Sequence, residues 1–139
     1  MSRSGVVGAT APWNYPQTVS AFKHGPAMAA GYTIVLKPSP ETVLDAMLFA
    51  EAVEASDIPP GVVTIVPGGR EVGAYLVRHR DVHKVAFTGS TAAGRQIAET
   101  CGLLLRPVTL ELGGKSAAII RRPGGDLSPP EDRPHTLVV

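Results

Sequence analysis

Short apolar runs recur along the chain, separated by stretches whose apolar residues return at helical spacing. Residues 5–11 read Gly-Val-Val-Gly-Ala-Thr-Ala, a run that predicts a strand. The loop Pro12-Trp13-Asn14-Tyr15-Pro16 breaks it, and a helix is expected from Gln17 with Val19 and Phe22 on its inner face. Pro26 should break that helix or restart it as a first-turn residue, and Gly31 is a helix-ending signal. Residues 33–36 predict a second strand. Thr42-Val43-Leu44-Asp45 has the form of a capped helix start, with threonine first and a carboxylate three residues on. Leu44, Met47 and Leu48 then recur at helical spacing. The turn Ile58-Pro59-Pro60-Gly61 leads to a third strand at 62–66, and Pro67-Gly68-Gly69 leads to a short helix through Val72, Leu76 and Val77. Residues 84–87 predict a fourth strand. Thr88-Gly89-Ser90-Thr91 turns into a helix that reaches Thr100 and ends at Gly102, and 106–110 and 117–120 are the last strands.

Strands alternating with helices argue an α/β fold, a doubly wound parallel sheet with helices on both faces. Ligands of such sheets bind beyond the carboxyl ends of the strands. The loops at Asn14, Lys37, Gly68, Ser90 and Glu111 each follow a strand, so they should share one edge. The pattern stops at Arg121. Residues 121–139 carry Pro123, Pro129, Pro130 and Pro134 with interspersed arginine and acidic residues, and read as an irregular Pro/Arg-rich tail.

Composition narrows the function classes. The 139 residues are 44% apolar and 18% charged with a net charge of +1, as expected of one soluble globular domain. Near-neutral charge gives no argument for nucleic acid or a membrane surface. Residues 4–22 carry no charge, but Pro12, Asn14, Pro16 and Gln17 argue against a membrane-spanning helix. The start lacks a signal-peptide core, so a cytoplasmic protein is expected. The single cysteine, Cys101, excludes an intramolecular disulfide and a cysteine-cluster metal site, and suits a reducing compartment. No metal site is expected.

Candidate chemistry centres on Leu110-Glu111-Leu112-Gly113-Gly114-Lys115-Ser116. A carboxylate in a strand-like apolar frame is costly to desolvate, which makes Glu111 a candidate general base or acid. The alternative is a strand-end glutamate facing solvent. At Phe87-Thr88-Gly89-Ser90-Thr91, Gly89 lets the turn close. The helix-start amides and the Ser90 hydroxyl then suit a phosphate, or Ser90 is an ordinary cap. Gly89 and Gly94 imitate P-loop spacing, but Arg95-Gln96 follow in place of the lysine and hydroxyl residue. Gly68 and Gly69 do not complete a dinucleotide fingerprint and fit a tight turn as well. Lys37, at a strand end, can reach a ribose hydroxyl or phosphate, or simply be solvated. Asn14 can offer its amide to an oxyanion or serve the turn. Cys101 lies at the wrong end of a helix dipole for a thiolate and reads as structural. His24, His79, His83 and His135 share no catalytic spacing and read as surface residues, with His79 and His83 on a turn around Asp81.

In order, Pro12-Trp13-Asn14-Tyr15-Pro16, Leu36-Lys37-Pro38-Ser39, Phe87-Thr88-Gly89-Ser90-Thr91 and the Glu111 segment resemble the aldehyde dehydrogenase superfamily over residues 5–120. The resemblance implies an incomplete aldehyde dehydrogenase fold: a partial, Rossmann-like NAD(P)-binding domain over residues 1–120 that lacks the usual glycine fingerprint. It implies oxidation of a small-molecule aldehyde to a carboxylic acid with NAD or NADP, in a family that is typically homo-oligomeric. By the family pattern Lys37 meets the adenosine ribose or its phosphate. Ser90, beside Gly89, and the adjacent amides hold the pyrophosphate, and Gly68 and Gly69 lie near the adenine. Trp13 and Asn14 line the nicotinamide and substrate end, with Asn14 in the oxyanion hole. Glu111 activates the water that hydrolyses a thioester. Two departures stand out. Many NAD-preferring members place a glutamate three residues after the lysine, where this chain has Pro40, with Glu41 one step later. The family's cysteine nucleophile lies downstream of the glutamate, and no cysteine follows Glu111 here. The expectation is a truncated gene product whose tail is out of frame or otherwise unrelated. The alternative is a catalytically inactive remnant or nucleotide-binding module.

Overall fold

The computed structural model describes residues 5–114. They form β1 (Val6–Thr10), α1 (Pro16–Ala29), β2 (Thr33–Lys37), a 3-10 turn (Pro40–Thr42), α2 (Val43–Glu54), β3 (Val63–Ile65), α3 (Arg70–Arg78), β4 (Lys84–Gly89), α4 (Thr91–Leu103) and β5 (Val108–Leu112). All pairings are parallel, in the order β3-β2-β1-β4-β5. The chain steps outward from β1 to β2 and β3, then returns to place β4 on the other side of β1. The strand order therefore reverses between β1 and β4, the switch point where such sheets open a ligand crevice. Thr10 is level with Lys37 and Phe87, and Gly89 is level with Leu112. The loops after these strands therefore share one edge, as the alternation predicts.

Side chains of successive strand residues go to opposite faces, and each face has its own core. Val7, Ala9, Ile34, Leu36 and Ala86 pack with Ala27 of α1 and Phe49 of α2. Val85, Phe87, Val108 and Leu110 pack with Val77 of α3 and with Ile97 and Cys101 of α4. The predicted strand at 117–120 and the tail at 121–139 lie outside the described residues.

Several local expectations change. Phe22 is 75% exposed rather than inward. The residues α1 buries are Ser20 and Ala27, seven apart, with Lys23 and His24 half-buried between them on the same face. Helix α1 continues through Pro26, which lies in its last turn and still accepts from the Ala30 amide at 3.1 Å. In α2, Leu44 and Leu48 are 80% and 60% exposed. The buried residue is Ala46, whose small side chain permits close approach, with Phe49 on the same side. Thr42 is the N-cap of α2 but makes no side-chain cap bond. Helix α4 passes Gly102 and ends at Leu103, and Leu105 takes the left-handed conformation after it, with φ 48°.

Candidate functional site

An open cleft of about 1590 Å³ runs along the switch point. Trp13, Asn14, Lys37, Gly89, Ser90 and Glu111 all line it. The loop after β1 turns sharply because Tyr15 adopts φ 49° and Pro16 opens α1, a residue suited to a first helical turn. This leaves Trp13 and Asn14 exposed to the cleft. Across the switch point, Ser90 caps α4 and its Oγ accepts from the Ala93 amide at 3.2 Å. The foremost amides of that helix have no partner within it and carry the positive end of its dipole. Gly89 is confined as well: a Cβ there would lie 2.6 Å from the Phe87 ring.

Lys37 is 8% exposed and faces α3. Its aliphatic stem crosses Gly73, where an added Cβ would lie 3.4 Å from the lysine Cδ. Its Nζ donates to the Pro38 carbonyl at 2.8 Å, and burial lowers its pKa against the opposing pull of Glu41. Gly68 and Gly69 do not line the cleft. They form the turn into α3, where a side chain on Gly68 would collide with Val72.

Glu111 is exposed rather than desolvated. Val108 and Leu110 of β5 pack beneath α4, so Thr109 and Glu111 point to the opposite face, that of α1. There Glu111 is level with Thr88, whose Oγ1 accepts from Lys23 Nζ at 2.7 Å. Burial lowers the pKa of Lys23, and the Glu111 charge works the other way. Lys23 was missed from sequence. The available signal was a lysine three residues after Ser20 and four before Ala27, on the helix face that ordinarily carries apolar residues against a sheet. The two lysines thus approach the cleft from opposite faces of the sheet, Lys37 over α3 and Lys23 from α1 beside Glu111.

Cys101 is fully buried and burial pushes its thiol pKa up, which fits a structural role. His24 is not a surface residue. It stacks on Phe49 with ring centroids 4.5 Å apart, its Nδ1 is buried without a partner, and burial lowers its pKa. The cause is that α1 and α2 pack together at this point. His83 is exposed, but its Nδ1 accepts the Val6 amide at 3.1 Å. His79 Nδ1 accepts the Asp81 amide at 3.3 Å in the turn that was expected there. His135 lies outside the described residues. Among the described residues no cluster of three or more histidine, cysteine or acidic side chains is placed to hold a metal, and no helix is long and apolar enough to cross a membrane.

The profile of the aldehyde dehydrogenase family matches residues 3–127. Geranial dehydrogenase of Castellaniella defragrans is 62% identical over 116 residues, covering 84% of this chain and 24% of that protein. Chloroplastic betaine aldehyde dehydrogenase of Beta vulgaris is 50% identical over 117 residues, 84% of this chain and 23% of its own length. Among solved structures, the NAD+ complex of an aldehyde dehydrogenase from Bacillus cereus superposes with a TM-score of 0.80 at 48% identity, covering 84% of this chain and 24% of that one. A Mycobacterium tuberculosis aldehyde dehydrogenase complexed with NAD+ gives 0.78 at 47% identity, over 81% of this chain and 23% of that one. The chain spans less than a quarter of the length of each of these relatives. It belongs to the aldehyde dehydrogenase family.

Proposed function

We propose that these residues supply the nucleotide-binding part and the general base of an NAD(P)-dependent oxidation of an aldehyde to a carboxylic acid. We propose further that the 139-residue chain binds nucleotide without turning over aldehyde. The observation that carries this reading is the cleft at the switch point, which brings Trp13, Asn14, Lys37, Ser90 and Glu111 together. Two features of its wall fit a dinucleotide. Thr10 Oγ1 is buried without a partner in the cleft wall, and Gly73 leaves the room in which the Lys37 stem lies. The related B. cereus and M. tuberculosis enzymes hold NAD+.

On this reading Lys37 meets the adenosine ribose, while Ser90 and the α4 amides meet the pyrophosphate, with Gly89 at their approach and Gly68 and Gly69 towards the adenine. Trp13 and Asn14 face the nicotinamide end. When bound, the nicotinamide supplies a hydride acceptor. Asn14 donates to the developing oxyanion, and Glu111 takes a proton from the hydrolytic water. Its exposure leaves it accessible to that water. Lys23, bonded to Thr88, sets the charge behind it. The covalent step needs a nucleophile, and Cys101, the only cysteine in the sequence, is sealed in the core under α4. The nucleophile therefore comes from outside these residues. A cytoplasmic setting suits a free thiol.

The test is to titrate the full chain with NAD and NADP by calorimetry and by fluorescence of Trp13, the single tryptophan, and then to assay aldehyde oxidation. Saturable binding without turnover is expected. Turnover that survives both Cys101→Ala and Glu111→Ala overturns the assignment of the base, and absence of binding overturns the nucleotide site.

A further inference from the structure

We propose that Glu41, acting through the Ser39 hydroxyl, makes this cleft prefer NAD to NADP. The inference rests on the nucleotide reading above, with Lys37 at the adenosine ribose. The segment that leaves β2 is held at two points by proline, whose ring fixes φ. Pro38 is buried and Pro40 opens the 3-10 turn. Between them Ser39 is extended, and its carbonyl accepts the Thr42 amide at 3.0 Å. Ser39 lines the cleft together with Lys37 and Arg70.

The Ser39 hydroxyl donates to the Glu41 carboxylate. A serine hydroxyl has one proton and two lone pairs, so with its proton committed Ser39 presents only acceptor capacity to the cleft. A ribose 2′-hydroxyl has a proton to give and is matched. A 2′-phosphate at neutral pH carries negative charge and acceptor oxygens. It meets lone pairs at Ser39 and like charge at Glu41. The Ser39 hydroxyl bond, the backbone amide of Glu41 and the Lys37 charge together hold the Glu41 carboxyl below its ordinary pKa, so the charge persists through the physiological range. The Lys37 ammonium is meanwhile drawn to the Pro38 carbonyl. Glu41 is thus a positioning residue: it decides whether Ser39 donates or accepts.

The experiment measures NAD and NADP affinities of the full chain by calorimetry, for the natural sequence and for Glu41→Ala, Glu41→Asp and Ser39→Ala, with circular dichroism to verify folding. NAD is expected to bind about tenfold or more tightly than NADP. Glu41→Ala frees the serine proton and should bring the two within about threefold, chiefly by tightening NADP. Glu41→Asp restores part of the preference, a result that a merely structural role would not produce. Ser39→Ala should weaken NAD and tighten NADP modestly, because the opposing lone pairs are gone while the Glu41 charge remains. Saturable NAD binding with equal or tighter NADP binding overturns the proposal and leaves the nucleotide site standing. An unchanged preference in Glu41→Ala overturns it in the same way. Failure of both nucleotides to bind overturns the site and the proposal together.

Discussion

Strands β2 and β5 are built alike, Thr-Ile-Val-Leu-Lys and Val-Thr-Leu-Glu-Leu, each a short apolar strand with one charge near its carboxyl end. They end in opposite environments. β2 runs between β1 and β3 with helices over both faces. Ile34 and Leu36 are 0% and 2% exposed, and even Lys37 is at 8%. β5 pairs only with β4 among the described residues, and α4 covers one of its faces. Val108 and Leu110 are half-buried there, while Thr109 and Glu111 stand open. An apolar frame therefore does not bury a charge; neighbouring strands and helices do.

The largest test of this contrast is core truncation. Ile34→Ala removes a fully enclosed side chain and should cost about 3 kcal/mol. Leu110→Ala, on the half-covered strand, should cost about 1 kcal/mol. Urea unfolding of both variants measures the gap, and equal losses would break the comparison.

The helix ends that deliver the two strands give a smaller effect. α1 enters β2 through a Schellman closure, with Tyr32 and Gly31 amides donating to the Ala27 and Met28 carbonyls, both at 2.9 Å. α4 enters β5 through the same closure, with Arg106 and Leu105 donating to Cys101 and Gly102 at 2.8 and 3.1 Å. The left-handed position is Gly31 with φ 78° in one case and Leu105 with φ 48° in the other. A side chain there is strained. Gly31→Ala should cost roughly 1 kcal/mol. Leu105→Gly should gain about 0.5 kcal/mol, because relief of strain is partly offset by the larger backbone entropy that glycine loses on folding. Shifts in the thermal midpoint would show both signs.

The smallest effect concerns the charges beside β5. Burial lowers the Lys23 pKa in the folded chain, with Glu111 opposing. Between the folded and unfolded lysine values the unfolded chain binds more protons, so stability rises with pH across that window. Below it, where lysine is charged in both states, the burial penalty is present in full. Lys23→Met should flatten the alkaline rise, read as the difference between unfolding curves of the two proteins over an alkaline pH series. A curve for Lys23→Met that parallels the natural one would show that Lys23 is solvated.

The sheet itself was legible in the sequence, since apolar periodicity, prolines and glycines act over a few residues and mark where strands and helices change. The Ser90 cap and the Gly31 helix end were readable for the same reason. The rotation of α1 was not. Phe22 is the more apolar residue, yet Lys23 turns inward, because the sheet beneath α1 takes up the face of Ser20 and Ala27. His24 looked like a surface residue until α2 brought Phe49 against it.

The sequence alone determined the alternation of elements, the shared edge of the loops and the family. Each of these rests on local pattern or on the order of short motifs. Only the tertiary structure decided which charges are buried and which polar groups meet. Lys37 is enclosed, Glu111 is open, Lys23 reaches Thr88 across a separation of 65 residues, and the Ser39 hydroxyl donates a hydrogen bond to Glu41. Burial depends on what distant segments place around a side chain, and donor direction on which acceptor the folded backbone sets within reach; neither is contained in local pattern.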